Sequence, residues 1–274
     1  MRSAHQRSWQ TCVLSVGLAT VAGAFGGCTT RQNANTIWPP ADFELQVEEI
    51  RTGPNAFVPE RRFRVHANGL AVYSAAPETL VDEESGTVLP VWSRLAVYRL
   101  VEPCTRALAR RVHRAGILEL EPEQGRRGED SDVGVQLRWQ AFDNVKVVYS
   151  RGRVRGDMSM ILAIVAAHLP PGERFRTPGV AERGIGSVLR GVPEPAADKA
   201  GAFRAMEQLL SEQPNDAELV LDAFVLACSA GRRADAERLL ARWRALVGDV
   251  AEPPAGSGAR ALNGAILRRL LPAD

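Results

Sequence analysis

The sequence predicts an α+β fold: an antiparallel sheet with two helices on one face, followed by a small all-helical segment. Three features predict it. Apolar residues recur with period two between residues 42 and 100, two helix-length apolar stretches flank further alternating runs before residue 170, and beyond Ala200 the period becomes helical. With 274 residues, 45% hydrophobic and 24% charged, the composition is that of an ordinary globular chain.

Phe43, Leu45 and Val47 alternate with Glu44, Gln46 and Glu48, the pattern of a half-buried strand. Phe63 and Val65 alternate with Arg62, Arg64 and His66, and Asn68-Gly69 precedes the apolar run Leu70 to Tyr73, which predicts a tight hairpin. Residues 77–87 read as a solvated loop, and residues 88–100 as a strand region broken at Pro90. Glu102-Pro103 opens a helix, because proline needs no N–H in the first turn; Leu108, Val112 and Ala115 form its apolar face and Gly116 ends it. After a charged loop, Val135, Leu137 and Trp139 mark one strand and Val145, Val147 and Tyr149 the next, with Asp143-Asn144 between them. Asp157 is expected to cap the apolar helix MSMILAIVAAHL, which is too short to cross a bilayer and should lie on the sheet. The α+β domain so defined spans 42–170.

Residues 171–199 are rich in glycine and proline and read as a linker, with a short helix near residues 180–189. Helices are expected to end at Pro214, to run from Ala217 to Ala230 and from Ala234 to Val247, and to close the chain after Ser257, with Leu262, Ile266 and Leu270 on one side. Ala202 and Met206 recur 34 residues later as Ala236 and Leu240, and Pro214 lies between the helices. On these residues the 200–274 segment resembles the tetratricopeptide family, departing from it at Phe224 and Trp243; a plain helical hairpin is the other reading. The likeness covers about one and a half repeats where about three stand alone, so these helices should lean on the α+β domain or on the last helix.

The N-terminus has the layout of an export signal: Arg2 and Arg7, an uncharged run from Thr11 to Phe25, then Gly26-Gly27-Cys28. Phe25-Gly26-Gly27-Cys28 resembles a bacterial lipoprotein signal, with Phe25 where Leu, Val or Ile is usual. The resemblance implies that residues 1–27 are removed and that Cys28 is lipidated, becoming the new N-terminus. Two or more acyl chains hold a protein on a membrane, whereas one does so only marginally. Residues 28–41 would then be a polar tether. Thr29, in place of the aspartate that retains some lipoproteins at the inner membrane, favours the outer membrane. An ordinary signal cut near Ala24, giving a soluble secreted protein, and an uncleaved signal anchor are the alternatives.

With Arg2 and Arg7 set aside, 32 basic and 32 acidic residues remain, so nothing general points to nucleic acid. Outside the signal and Cys28, the cysteines are Cys104 and Cys228, read as two separate thiols. His66, His113 and His168 are scattered, and no HExxH, CxxC, GxSxG or SxxK occurs, so no catalytic residue, cofactor or metal is assigned. Asp130 to Gly134 lacks the later ligands of a calcium loop, and Gly184 to Gly191 lacks the spacing of a dinucleotide loop. The concentrated charge is arginine. Arg106, Arg110 and Arg114 fall one turn apart on a helix, and Arg151, Arg153 and Arg155 alternate as if on one side of a strand, making a cationic patch should the stripes adjoin; the other reading is solvated faces balanced by Glu119, Glu121, Glu129 and Asp130. These features predict a lipid-anchored envelope protein with a non-enzymatic binding or scaffold role. Its partners would be the membrane, through Cys28, and a protein docking on the helical segment; an exported hydrolase-like enzyme is the alternative.

Overall fold

The computed structural model describes residues 38–52, 57–124, 133–177, 192–248 and 263–273. Cys28, most of the tether, the 180–189 helix, Ser257 and the two rejected glycine and calcium loops lie wholly or mainly outside them. The fold is mixed: nine strands and six helices in the order β1 (Glu44–Thr52), β2 (Phe57–His66), β3 (Leu70–Ala75), β4 (Glu78–Asp82), β5 (Thr87–Val91), β6 (Arg94–Arg99), α1 (Glu102–Arg114), β7 (Glu123–Gln124), β8 (Val133–Ala141), β9 (Asn144–Arg151), α2 (Gly156–Ala166), α3 (Lys199–Glu212), α4 (Ala217–Ser229), α5 (Arg233–Val247) and α6 (Gly264–Arg269). Seven strands form one sheet in the order β6-β3-β2-β1-β8-β9-β7, antiparallel except where β7 joins β9, and β4 and β5 form a separate hairpin.

The sheet is covered on its inner face by α1 and α2 and on its outer face over β6, β3, β2 and β1, while the outer face is exposed at β9. Inward residues Leu45, Val47, Phe63, Val65, Tyr73, Leu137 and Trp139 pack under α1 and α2, which contribute Leu108, Val112, Ile161, Leu162 and Val165. On the opposite face Leu70, Val72, Leu95 and Val97 meet Phe203, Met206 and Leu210 of α3 and Phe224 of α4. The C-terminal helices are therefore a second layer on the same sheet, because so short a helical array cannot bury its apolar surface alone. Covering by α4 also changes β1 and β2: Gln46, Glu48, Arg62 and Arg64 are buried, so these strands are not half exposed as their alternation suggests.

Several local expectations need correction. Residues 77–87 form β4 and the turn into β5, not a solvated loop. In β9 the buried residues are Val148 and Ser150, whereas Val145 and Val147 are 56% and 41% exposed; pairing of Trp139 with Lys146 and Leu137 with Val148 sets this register. Arg155, not Asp157, is the N-cap of α2 and makes no side-chain cap; Asp157 sits in the first turn, where its charge suits the helix dipole. Asn263 caps α6 through the Ala265 and Ile266 amides, in place of the expected Ser257. The ends of the proposed linker are packed: Phe175 lies in the inner core, Thr177 bonds Glu49, and the Ala196 amide donates to the Leu95 carbonyl. Trp38 likewise belongs to the core, so the folded part starts before residue 42.

The β2–β3 connection needs its glycine. Gly69 has φ +79°, and a Cβ there would stand 2.3 Å from the Leu100 carbonyl oxygen, which is backbone and cannot step aside. Gly69→Ala is expected to lose about 2 kcal/mol or more of unfolding free energy, read from urea unfolding, since a left-handed non-glycine residue alone costs about 1–2 kcal/mol.

Candidate functional site

The densest polar constellation lies between the outer sheet face and α4. Antiparallel pairing sets Glu44, Gln46 and Glu48 of β1 opposite His66, Arg64 and Arg62 of β2. Arg62 uses every nitrogen: Nε donates to Glu48 at 2.6 Å, Nη1 to Asp222 at 2.7 Å, and Nη2 lies 3.0 Å from Glu218. Its guanidinium also stacks 4.6 Å from the Trp92 ring centroid, the geometry of a cation–π contact. Arg64 donates to Gln46 at 2.9 Å, Asp216 at 3.1 Å and Glu218 at 2.5 Å. The second oxygen of Asp222 accepts from the Trp92 indole at 2.9 Å.

Local structure explains why the acids of α4 arrive here. Asp216 is the N-cap, its side chain accepting from the Leu219 amide, and Glu218 is in the first turn. Leu219, Val220, Ala223, Phe224 and Leu226 commit the helix to burial, so Asp222 is carried into the interior with them. Burial pushes the Asp222 carboxyl up to about 6, against the pull of Arg62. Burial acts the same way on Glu218, but Arg62 and Arg64 outweigh it and hold that carboxyl below its ordinary value. Burial opposes the Arg62 cation, yet Asp222, Glu218 and Glu48 keep its pKa raised. His66 is lowered by burial.

The chemistry open to this cluster is limited by its own pairing. A cavity of about 20 Å³, the room of roughly one water, is lined by Arg62, Arg64, His66, Ser74, Gln213 and Asp222. A space of that size admits no organic substrate. The arrangement is an ionic clasp joining two layers: the buried Arg62 and Arg64 meet the buried Glu48 and Asp222 and the part-exposed Asp216 and Glu218, and removing a buried partner strands the others.

Sequence reading assigned no role to Arg62, Arg64, Asp216, Glu218, Asp222 or Trp92. A signal was present in the acids of α4, because a helix apolar on almost every side must bury whatever charges it carries. The arginine residues that were singled out lie elsewhere. Arg110, Arg114, Arg151, Arg153 and Arg155 are exposed and Arg106 is half-exposed, pairing with Glu102 and donating to the Trp38 carbonyl at 3.1 Å. Of the second stripe only Arg151 is in a strand, since β9 ends there and Arg153 lies in a bend. Arg153 and Arg155 therefore do not continue a strand face with Arg151.

His66 lies on the outer sheet face, whereas His113 stacks between Trp38 and Trp139 under the inner helices and His168 contacts the Ile164 carbonyl at 2.9 Å. Among the described residues no group of three or more His, Cys, Asp or Glu side chains is placed to hold a metal ion. Cys104 and Cys228 are free thiols in the inner and outer cores respectively, and burial pushes Cys228 up to about 12. Among the described residues no helix is long and apolar enough to cross a membrane. No known protein-family model matches the chain, and no curated protein matches it in sequence.

The clasp has a testable pH signature. The folded Asp222 carboxyl titrates at about 6 against 3.8 in its unperturbed state. A raised folded pKa contributes stability that is complete below the unfolded value and is lost as pH rises through 6. Urea unfolding between pH 4 and pH 7 should therefore show the advantage of the parent chain over Asp222→Asn shrinking by about 3 kcal/mol as pH rises. A constant difference would contradict this assignment. Arg62→Ala, which strands three carboxylates, should cost about 3–5 kcal/mol at pH 7 in the same measurement.

Proposed function

We propose that the chain is a lipid-anchored protein of the bacterial cell envelope with a non-enzymatic binding or scaffold role. The observation that carries this reading is Phe25-Gly26-Gly27-Cys28, placed after two arginines and an uncharged run. The glycines leave the backbone around the cut accessible to a peptidase, and the Cys28 thiol is the nucleophile that takes up the diacylglyceryl group. Thr29 favours the outer membrane as the destination.

The binding element of this proposal is the tetratricopeptide-like unit α3 to α5. Supporting the likeness, Ala202 and Met206 of α3 and Ala236 and Leu240 of α5, spaced by the 34-residue repeat, are all buried. Small residues at those places let helices pack closely, and the sheet takes the position that a further repeat would hold in a longer array. A protein partner would meet the exposed outer surfaces of α3 and α5. The scaffold role accords with a clasp whose charges satisfy one another and whose enclosed space holds about one water.

Growth with a labelled fatty acid tests the anchor. The parent chain is expected to carry label and to remain with membranes in high salt, whereas Cys28→Ala carries none and washes off. Equal labelling of the two chains, or absence of label from the parent, overturns the proposal.

A further inference from the structure

We infer that the arginine face of α1 is the surface the protein presents to the bilayer, where it contacts anionic lipid headgroups. This deepens the proposed function and rests on acylation of Cys28. The first argument is where the chain enters the fold. Trp38 is 8% exposed, its ring 5.1 Å from His113 of α1 and 5.2 Å from Phe142, and its carbonyl accepts from Arg106 of α1 at 3.1 Å. The first described residue is thus held against α1. Trp38 lies ten positions after Cys28, a reach of at most about 35 Å, so the region around α1 is the part of the fold that the lipid holds closest.

The second argument is charge. Helix α1 carries Arg106, Arg110, Arg111 and Arg114 against a single acid, Glu102, which pairs with Arg106. Arg110, Arg111 and Arg114 are exposed, as is Ala107 in their midst. A Cβ on Gly116, just past the end of α1, would lie 3.7 Å from Asp157, so the start of α2, with Arg155 two residues earlier, adjoins the same corner. The acids near this face are Glu119 and Asp157, which flank Gly116, and Asp42 and Asp143 beside Phe142, so the excess of positive charge is confined to the exposed stretch Arg110 to Arg114 of α1. Attraction to a charged surface fades within about 8 Å at physiological salt, so such a face acts on lipid only if something keeps it near. The tether does that. Because α3 and α4 cover the opposite side of the sheet, the arrangement also leaves the helical layer facing away from the bilayer.

The test uses the full chain, purified from membranes with its acyl groups and reconstituted in phosphatidylcholine vesicles with or without phosphatidylglycerol. A fluorophore is placed by Ala107→Cys on α1 or by Gln208→Cys on α3, with Cys104 and Cys228 replaced by alanine, and a headgroup-linked quencher reports proximity. The label at 107 should be quenched more than the label at 208, with the excess growing on phosphatidylglycerol and falling in high salt. The double change R110E/R114E should abolish the growth, since each arginine near an anionic surface is worth about fivefold in partitioning. Equal quenching at the two sites, or an excess indifferent to headgroup charge, overturns the inference while flotation with neutral vesicles leaves the anchor standing; the same result is expected if α1 serves a protein or a nucleic acid instead. Failure to float with neutral vesicles overturns the anchor itself, and this inference with it.

Discussion

Two guanidinium groups on one strand, shut away from water, dictate how the rest of this chain is arranged. Arg62 and Arg64 alternate with Phe63 and Val65, so the pleat that sends apolar residues to α1 and α2 sends both cations to the other face. A buried cation without a counter-charge costs several kcal/mol, so that face must be closed by an element carrying acids at the right places. Helix α4 meets the demand with Asp216, Glu218 and Asp222, while β1 supplies Glu48 and the Gln46 amide from below. Apolar contacts of Leu70, Leu95, Phe203 and Phe224 supply cohesion, but they are not directional. The ionic contacts fix which helix lies over which strand.

The layers on the two faces differ in kind accordingly. The inner one is a dry aliphatic and aromatic core in which α2 is buried through Met158, Ile161, Leu162, Ile164 and Val165. The outer one mixes a hydrophobic strip along β3 and β6 with charge over β1 and β2, and is tied down further at its margin, where Arg269 of α6 binds Asp82 at 2.6 Å. These bonds hold the Asp82 carboxyl well below the usual carboxylate range. Polar contacts of this kind tolerate little sliding, so they fix the position of the outer layer on the sheet.

Much of this was legible in the residues. Alternation located β1, β2, β3 and β8, Asn68-Gly69 located their hairpin, and the change of period after Ala200 located α3, α4 and α5. What failed did so for physical reasons. In β9, Val145, Val147 and Tyr149 looked like the inward set, but cross-strand register with β8 decides the face, and a single strand does not contain its register. Strand β4 was hidden because its residues are mostly exposed or half-exposed and carry no apolar alternation, whereas β5 fell within the strand region read at 88–100 and runs through Pro90. The clasp was invisible because charged residues on a strand read as solvent-facing until something is known to lie over them. Arg62 and Asp222 are 160 positions apart, beyond the reach of any local pattern.

That separation also governs the order of events when the chain is made. Arg62 is synthesised long before Asp222, and Asp82 long before Arg269, 187 positions further on. Until α4 has emerged, more than four-fifths of the way along the chain, the sheet holds cations with no helix over them and cannot reach its final state. A chain whose charge partners lie so far apart in sequence lacks its outer layer through most of its synthesis and takes its final form in a late step.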